Sequence, residues 1–200
     1  MSNFAVETPE IQAKTEYLRL CPYSRHVGVR DLKVFQEVMQ RGSPEEQISA
    51  TDELAFLRGR SVRRALIGIM GDASVLLQVR ERATEMLHLQ SHRETVEACA
   101  IALRAQTIGI RFWAAYTLGN LGFSGTALGA IAASALEGVL RDPEIAPGWW
   151  SVGREAQALI PALRGDSAEE QRLQEEIRRI LEDPNAPPED RRWAECYMTE

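Results

Sequence analysis

Along nearly the whole chain, apolar residues recur at positions i, i+3, i+4 and i+7, the spacing of one face of an α-helix. Val62, Ala65, Leu66, Ile69 and Met70 make one such face, and Val96, Cys99, Ala100 and Leu103 make another. The longest joins Leu128, Ile131, Ala132, Ala135, Leu136, Val139 and Leu140, and the last joins Leu173, Ile177, Ile180 and Leu181. Runs of β-branched residues with period two are missing, so the pattern predicts an all-α chain. Ser43-Pro44-Glu45-Glu46, Ser91-x-x-Glu94 and Ser167-x-x-Glu170 read as capping boxes that open helices. Gly42, Gly59, Gly71, Gly122 and Gly165 read as stops. Helices of roughly 10 to 16 residues joined by short loops follow, the pattern of antiparallel hairpins.

These hairpins repeat. An alanine is followed four residues later by a leucine-like residue in Ala50/Leu54, Ala83/Leu87, Ala114/Leu118, Ala156/Ile160 and Ala194/Met198. Successive alanines are 33, 31, 42 and 38 residues apart, the range of a helical-hairpin repeat. A small residue lets neighbouring helices approach, and a large apolar one a turn later fills the space beside it.

The stretches "VRERATEML", "IRFWAAYTLGNLG" and "LRDPEIAPGWWSVGREAQALI" resemble HEAT repeats, in particular the short bacterial HEAT-like class found in phycobilin lyase subunits and adaptor proteins. The resemblance covers about residues 44–200 and implies an α-solenoid of about five hairpins. Residues 1–43, with "TPEIQAKTEYLRL" and "DLKVFQEVMQRG", are expected to form an N-terminal helical cap or degenerate repeat of the same continuous domain. In that family an Asp before the first helix and an Arg in its first turn form ladders. The resemblance assigns such roles to Asp72 with Arg80, Asp142 with Arg154 and Asp183 with Arg191. Arg111 matches the Arg, with Gln106 where the Asp would stand.

Composition narrows the chemistry. With 44% hydrophobic and 26% charged residues in 200, the chain can bury a core. The first twenty residues carry charges throughout and lack an apolar leader core, and no stretch has the roughly 18 apolar residues of a membrane span, so a cytoplasmic location is expected. A net charge of −6 disfavours nucleic acid. Cys21, Cys99 and Cys196 are far apart and read as buried reduced thiols. His88 and His92 flank a helix break, which spoils their i, i+4 geometry for a metal. No hydrolase, phosphate-loop or dinucleotide motif occurs, the glutamates fall mostly on polar faces, and no pair of carboxylates is singled out. Neither a catalytic residue nor a cofactor is assigned.

Three features exceed what a minimal stack needs. Phe112, Trp113 and Tyr116 share a helix that is apolar almost all round, and the next helix, expected over 126–140, sets Gly129, Ala130, Ala133 and Ser134 away from its leucines as a smooth, uncharged patch. The loop "RDPEIAPGWW" lengthens one repeat and ends in Trp149-Trp150, which cannot both face the core of the helix that follows. Arg58, Arg60, Arg63 and Arg64 crowd a helix start, where the dipole favours anions, so an acidic partner surface would relieve them. The candidate partner-binding residues are therefore Trp149, Trp150, Phe112, Tyr116, Arg60, Arg63 and Arg64. The expected function is a non-enzymatic, protein-binding HEAT-repeat adaptor or regulator. One alternative is a phycobilin lyase-like protein that handles a bilin, and another is a HEAT-like DNA glycosylase, which needs a basic channel that an acidic chain does not suggest.

Overall fold

The computed structural model describes residues 9–20 and 26–198. Among them are eleven α-helices, one short 3-10 turn and no strand, so the chain is all-α. The helices run from 10 to 16 residues. They gather into two compact units, Met1–Ser91 and His92–Glu200.

The first unit holds α1 (Pro9–Arg19), α2 (Val29–Arg41), α3 (Pro44–Ala55), α4 (Arg60–Gly71) and α5 (Leu77–Met86), followed by the 3-10 turn Leu87–Leu89. Helix α3 packs against α1, α2, α4 and α5. Ile11, Leu18, Phe35, Val38, Leu54, Leu66 and Val79 fill the space between these helices. Buried Asp31 accepts from the Tyr17 hydroxyl (2.9 Å) and the Gly28 N–H (2.6 Å), which ties the start of α2 to α1. Gln90, also buried, donates to the carbonyls of Ala55 (2.7 Å) and Leu57 (3.1 Å) and satisfies the open end of α3.

The second unit holds α6 (Arg93–Ala102), α7 (Ile108–Asn120), α8 (Ala127–Glu137), α9 (Val152–Arg164), α10 (Ser167–Glu182) and α11 (Pro188–Met198). Helix α7 contacts α6, α8 and α9, which is how a helix apolar all round is accommodated. Helices α8 and α9 meet closely: a Cβ on Gly129 would lie 2.1 Å from the Phe123 carbonyl oxygen and 2.8 Å from that of Leu163. Only glycine fits there.

The five repeated alanines fall on α3, α5, α7, α9 and α11, every second helix, and all five are fully buried. Leu54, Leu87, Leu118 and Ile160 are buried with them; Met198, near the end of α11, is exposed.

Several local expectations need correction. The capping box at Ser43 forms, with Glu46 N–H donating to Ser43 Oγ (3.3 Å) and Ser43 N–H to Glu46 Oε2 (2.8 Å). The other two helices are capped one residue away from the expected serine. His92 caps α6 through Nδ1, which accepts from Glu94 N–H, and Asp166 caps α10 by accepting from Ala168 and Glu169 N–H. A carboxylate at that position also complements the helix dipole. Gly59 opens α4 instead of closing α3, and Gly71 lies in the last turn of α4. Helix α8 ends at Glu137, short of Leu140, and Gly129 and Ala133 are buried against neighbours; of the four small residues only Ala130 and Ser134 are exposed.

The expected Asp–Arg pairs are re-partnered as well. Asp72 accepts from Ser74 N–H (2.9 Å) and Asp183 from Asn185 N–H (2.8 Å), so each closes its own turn. Arg80 and Arg191 instead donate to the carbonyls of Met70 (3.1 Å) and Asp183 (2.7 Å), fastening a helix start to the end of the helix before it. Arg111 makes the same contact with the Ala105 and Gln106 carbonyls and reaches on to Asp142 (2.8 Å). Arg154 pairs in fork geometry with Asp190 (3.0 and 3.1 Å) and with Glu176 (2.7 Å). These two arginines therefore connect α7 to the turn before α9, and α9 to α11. An Arg side chain spans from one hairpin to the next, so its partner lies 31 or 36 residues onward.

Candidate functional site

The loop between α8 and α9 is hydrogen-bonded to itself and to α11. Pro147 and Gly148 occupy the two central positions of a turn in which Trp149 N–H returns to the Ala146 carbonyl (2.9 Å), and Gly148 has φ +83°, a value that suits glycine. Ala146 N–H bonds the Trp150 carbonyl (3.1 Å), Ile145 pairs with Ser151, and Arg192 of α11 donates to the Gly148 carbonyl (2.9 Å). The loop base is held by Gly153 N–H on the Asp142 carbonyl (3.0 Å), and Arg111 also bonds Glu144.

This turn aims its two tryptophans differently. Trp150 is buried, while Trp149 is 38% exposed. Their rings meet edge to face at 5.4 Å, and both pack on Phe112 of α7, at 5.7 and 6.1 Å. Trp113 contacts Trp149 (5.4 Å) and Tyr116 (5.5 Å), and Tyr197 of α11 contacts Trp150 (6.0 Å). Such offset and edge-to-face pairs are the preferred geometry for aromatic rings.

The rings of Phe112, Tyr116, Trp149, Trp150 and Tyr197 surround a cavity of about 230 Å³. Asn120, Leu159 and Cys196 complete its lining together with one acid, Glu155. Glu155 is 1% exposed. Its Oε2 accepts from Trp150 Nε1–H (2.7 Å) and the Tyr197 hydroxyl (3.1 Å), and its Oε1 is buried with no hydrogen-bond partner. Burial pushes this carboxyl up to about 7, against the lowering effect of the Trp150 and Tyr197 hydrogen bonds. Among the described residues, no Lys, Arg or His lines the cavity. Adjacent Arg154 is engaged by Asp190 and Glu176 and lies over the Trp193 ring at 4.9 Å.

Four of the seven candidate residues, Phe112, Tyr116, Trp149 and Trp150, thus line one cavity in the second unit. Arg60, Arg63 and Arg64 belong to the first unit on α4, where Arg60 and Arg64 are exposed and Arg63 is half-buried. Glu155, Tyr197 and Cys196 carry no mark in the motif search. The available signal was positional: Glu155 stands three residues after Val152 and four before Leu159, on a line that is otherwise apolar, and Tyr197 stands one turn after Trp193.

Among the described residues, no group of three or more His, Cys, Asp or Glu side chains is placed to hold a metal ion, and no helix is long and apolar enough to cross a membrane. His88 Nδ1 lies 2.7 Å from the Glu85 carbonyl, and His92 is spent on capping α6. Of the three expected buried thiols, Cys99 is buried and pushed up to about 12 by that burial, which makes it inert; Cys196 is exposed, contrary to expectation, and Cys21 lies outside the described residues. Compared with known proteins, the chain matches no family model and no curated sequence.

Proposed function

We propose that the chain is an α-solenoid of HEAT-like hairpins that acts as a non-enzymatic, protein-binding adaptor or regulator, with the cavity under Trp149 as its recognition site. The solenoid part is supported by the placement of a buried alanine on every second helix from α3 to α11, and by arginines that fasten successive hairpins. Arg60, Arg63 and Arg64 on α4 suit a separate contact with an acidic partner surface, but the reading does not depend on them.

One observation carries the function: an exposed tryptophan is held on a rigid turn beside an aromatic cavity, the arrangement of a binding anchor. The size of the cavity favours recognition of one side chain or head group, since it falls below the roughly 300–1,000 Å³ of pockets that enclose drug-sized ligands. A bilin is larger than such ligands, so this cavity does not favour the chromophore reading. A lining without cations gives a phosphate backbone nothing to hold, which disfavours the glycosylase reading.

Affinity capture from source cells with the wild-type chain and Trp149→Ala tests the proposal. A partner retained by the wild type and lost by Trp149→Ala, with the variant still folded and its melting temperature lowered by only about 2–4 °C, is the expected result. Capture that is equal for the two proteins overturns the assignment of this site.

A further inference from the structure

We propose that the cavity beside Glu155 receives a single organic ammonium group bearing at least one N–H, the head of a lysine side chain or of a free alkylamine. The inference deepens the recognition reading above and rests on it for the claim that the cavity is a recognition site.

The two oxygens of the Glu155 carboxyl are treated unequally. Oε2 has two donors, and Oε1, equally buried, has none. Neither protonation state resolves this. An ionised group leaves a negative charge in an apolar lining, and a neutral acid protonated on Oε1 leaves an O–H without an acceptor. A ligand that supplies a positive charge and an N–H to Oε1 satisfies both needs at once.

Among the described residues, nothing already does this. The cavity lining contains no cation, and the neighbouring Arg154 is committed to Asp190 and Glu176. The rest of the lining suits the same ligand. Five aromatic rings from α7, the loop and α11 surround the cavity, and the faces of such rings attract cations, most strongly for tryptophan. A primary or secondary ammonium is preferred over a quaternary one, because the quaternary group has charge but no N–H for Oε1.

The test is calorimetric titration of the full chain with n-butylammonium, its neutral counterpart n-butanol, and tetramethylammonium. N-acetyl-lysine amide and its Nε-acetylated form distinguish a side chain from a free amine. The wild type should bind butylammonium at least about tenfold more tightly than butanol, with tetramethylammonium between them. Acetylation of the lysine amide should abolish its binding. Glu155→Gln, which keeps the shape of the acid, should reduce butylammonium to the level of butanol, and Trp149→Ala should weaken binding while keeping the order of preference.

Equal binding of butylammonium and butanol overturns the inference, as does an undiminished preference in Glu155→Gln. Should that variant fail to fold, the wild-type comparison of lysine amide with its acetylated form decides. Tighter binding of the lysine amide than of butylammonium assigns the site to a partner's side chain, and equal binding assigns it to the ammonium head alone. The two proposals fail separately. A chain that prefers butylammonium but captures no protein through Trp149 loses the adaptor reading and keeps this inference; a chain that captures a partner through Trp149 but is indifferent to butylammonium does the reverse.

Discussion

Glu155 holds a proton more firmly when the chain is folded than when it is unfolded, because folding moves its carboxyl from water into an aromatic lining. Its folded value of about 7 lies above the ordinary 4.5. The native state therefore binds the extra proton, and the stability linked to it is complete below about pH 4.5 and lost as pH rises through 7, for a total of about 3 kcal/mol. The groups beside this carboxyl are Trp150 from the loop, Tyr116 from α7, and Cys196 and Tyr197 from α11, none of them a cation. Glu53 and Glu81 are also raised by burial, so the wild-type profile contains their share. The comparison with Glu155→Gln isolates this one group: the variant should gain on the wild type between pH 5 and pH 8 in urea unfolding. The two tryptophans should separate in a similar measurement. Trp150→Ala removes a buried ring and one of the two donors to Glu155 Oε2, at a cost of roughly 3–5 kcal/mol. Trp149→Ala loses exposed edge contacts and should cost about 1 kcal/mol. Sequence alone shows that these adjacent residues must diverge, but which one turns inward depends on the tight turn at Pro147-Gly148 and on the acid that receives the Trp150 N–H.

Helices and their order are the best-marked feature of the chain, since amphipathic spacing and repeated Ala/Leu pairs are local signals that packing reinforces. Ala114 illustrates this. It sits fully buried on α7, which packs against α9, and Ala114→Leu should overpack the contact and cost roughly 1–3 kcal/mol by chemical denaturation. Gly129→Ala should cost a similar amount or more, because its new methyl would meet backbone oxygens that cannot move aside as side chains do. What periodicity does not carry is partner choice. Ser91, two residues before α6, and Ser167, the first residue of α10, have the right chemistry for capping, yet the adjacent His92 and Asp166 provide the acceptors. Likewise the arginines of helix starts were identifiable, but each chooses among several acidic residues and free carbonyls within reach. Gly129 and Ala133 look like a surface patch in a helical projection because small residues suit both exposure and close contact; the approach of α9 decides for contact.

At the scale of the whole molecule, the all-α class was legible and the division into two compact units was not. The break between Ser91 and His92 falls inside a short inter-helix turn whose composition differs little from the other turns, so no linker advertises it. Far-ultraviolet circular dichroism should show a predominantly helical spectrum without a sheet component, and a substantial sheet signal would contradict the described structure. The cavity was half legible: its aromatic side is concentrated in two short stretches, whereas its acid and Tyr197 arrive from helices that only tertiary packing brings alongside. The turn that carries Trp149 is locked at both ends and braced from α11 through Arg192. On the proposed reading, the hydrogen bonds of this turn are already made before anything binds, so a ligand would meet a formed shape. Association there would carry little local ordering penalty, and discrimination between ligands would be expected in how long each one stays.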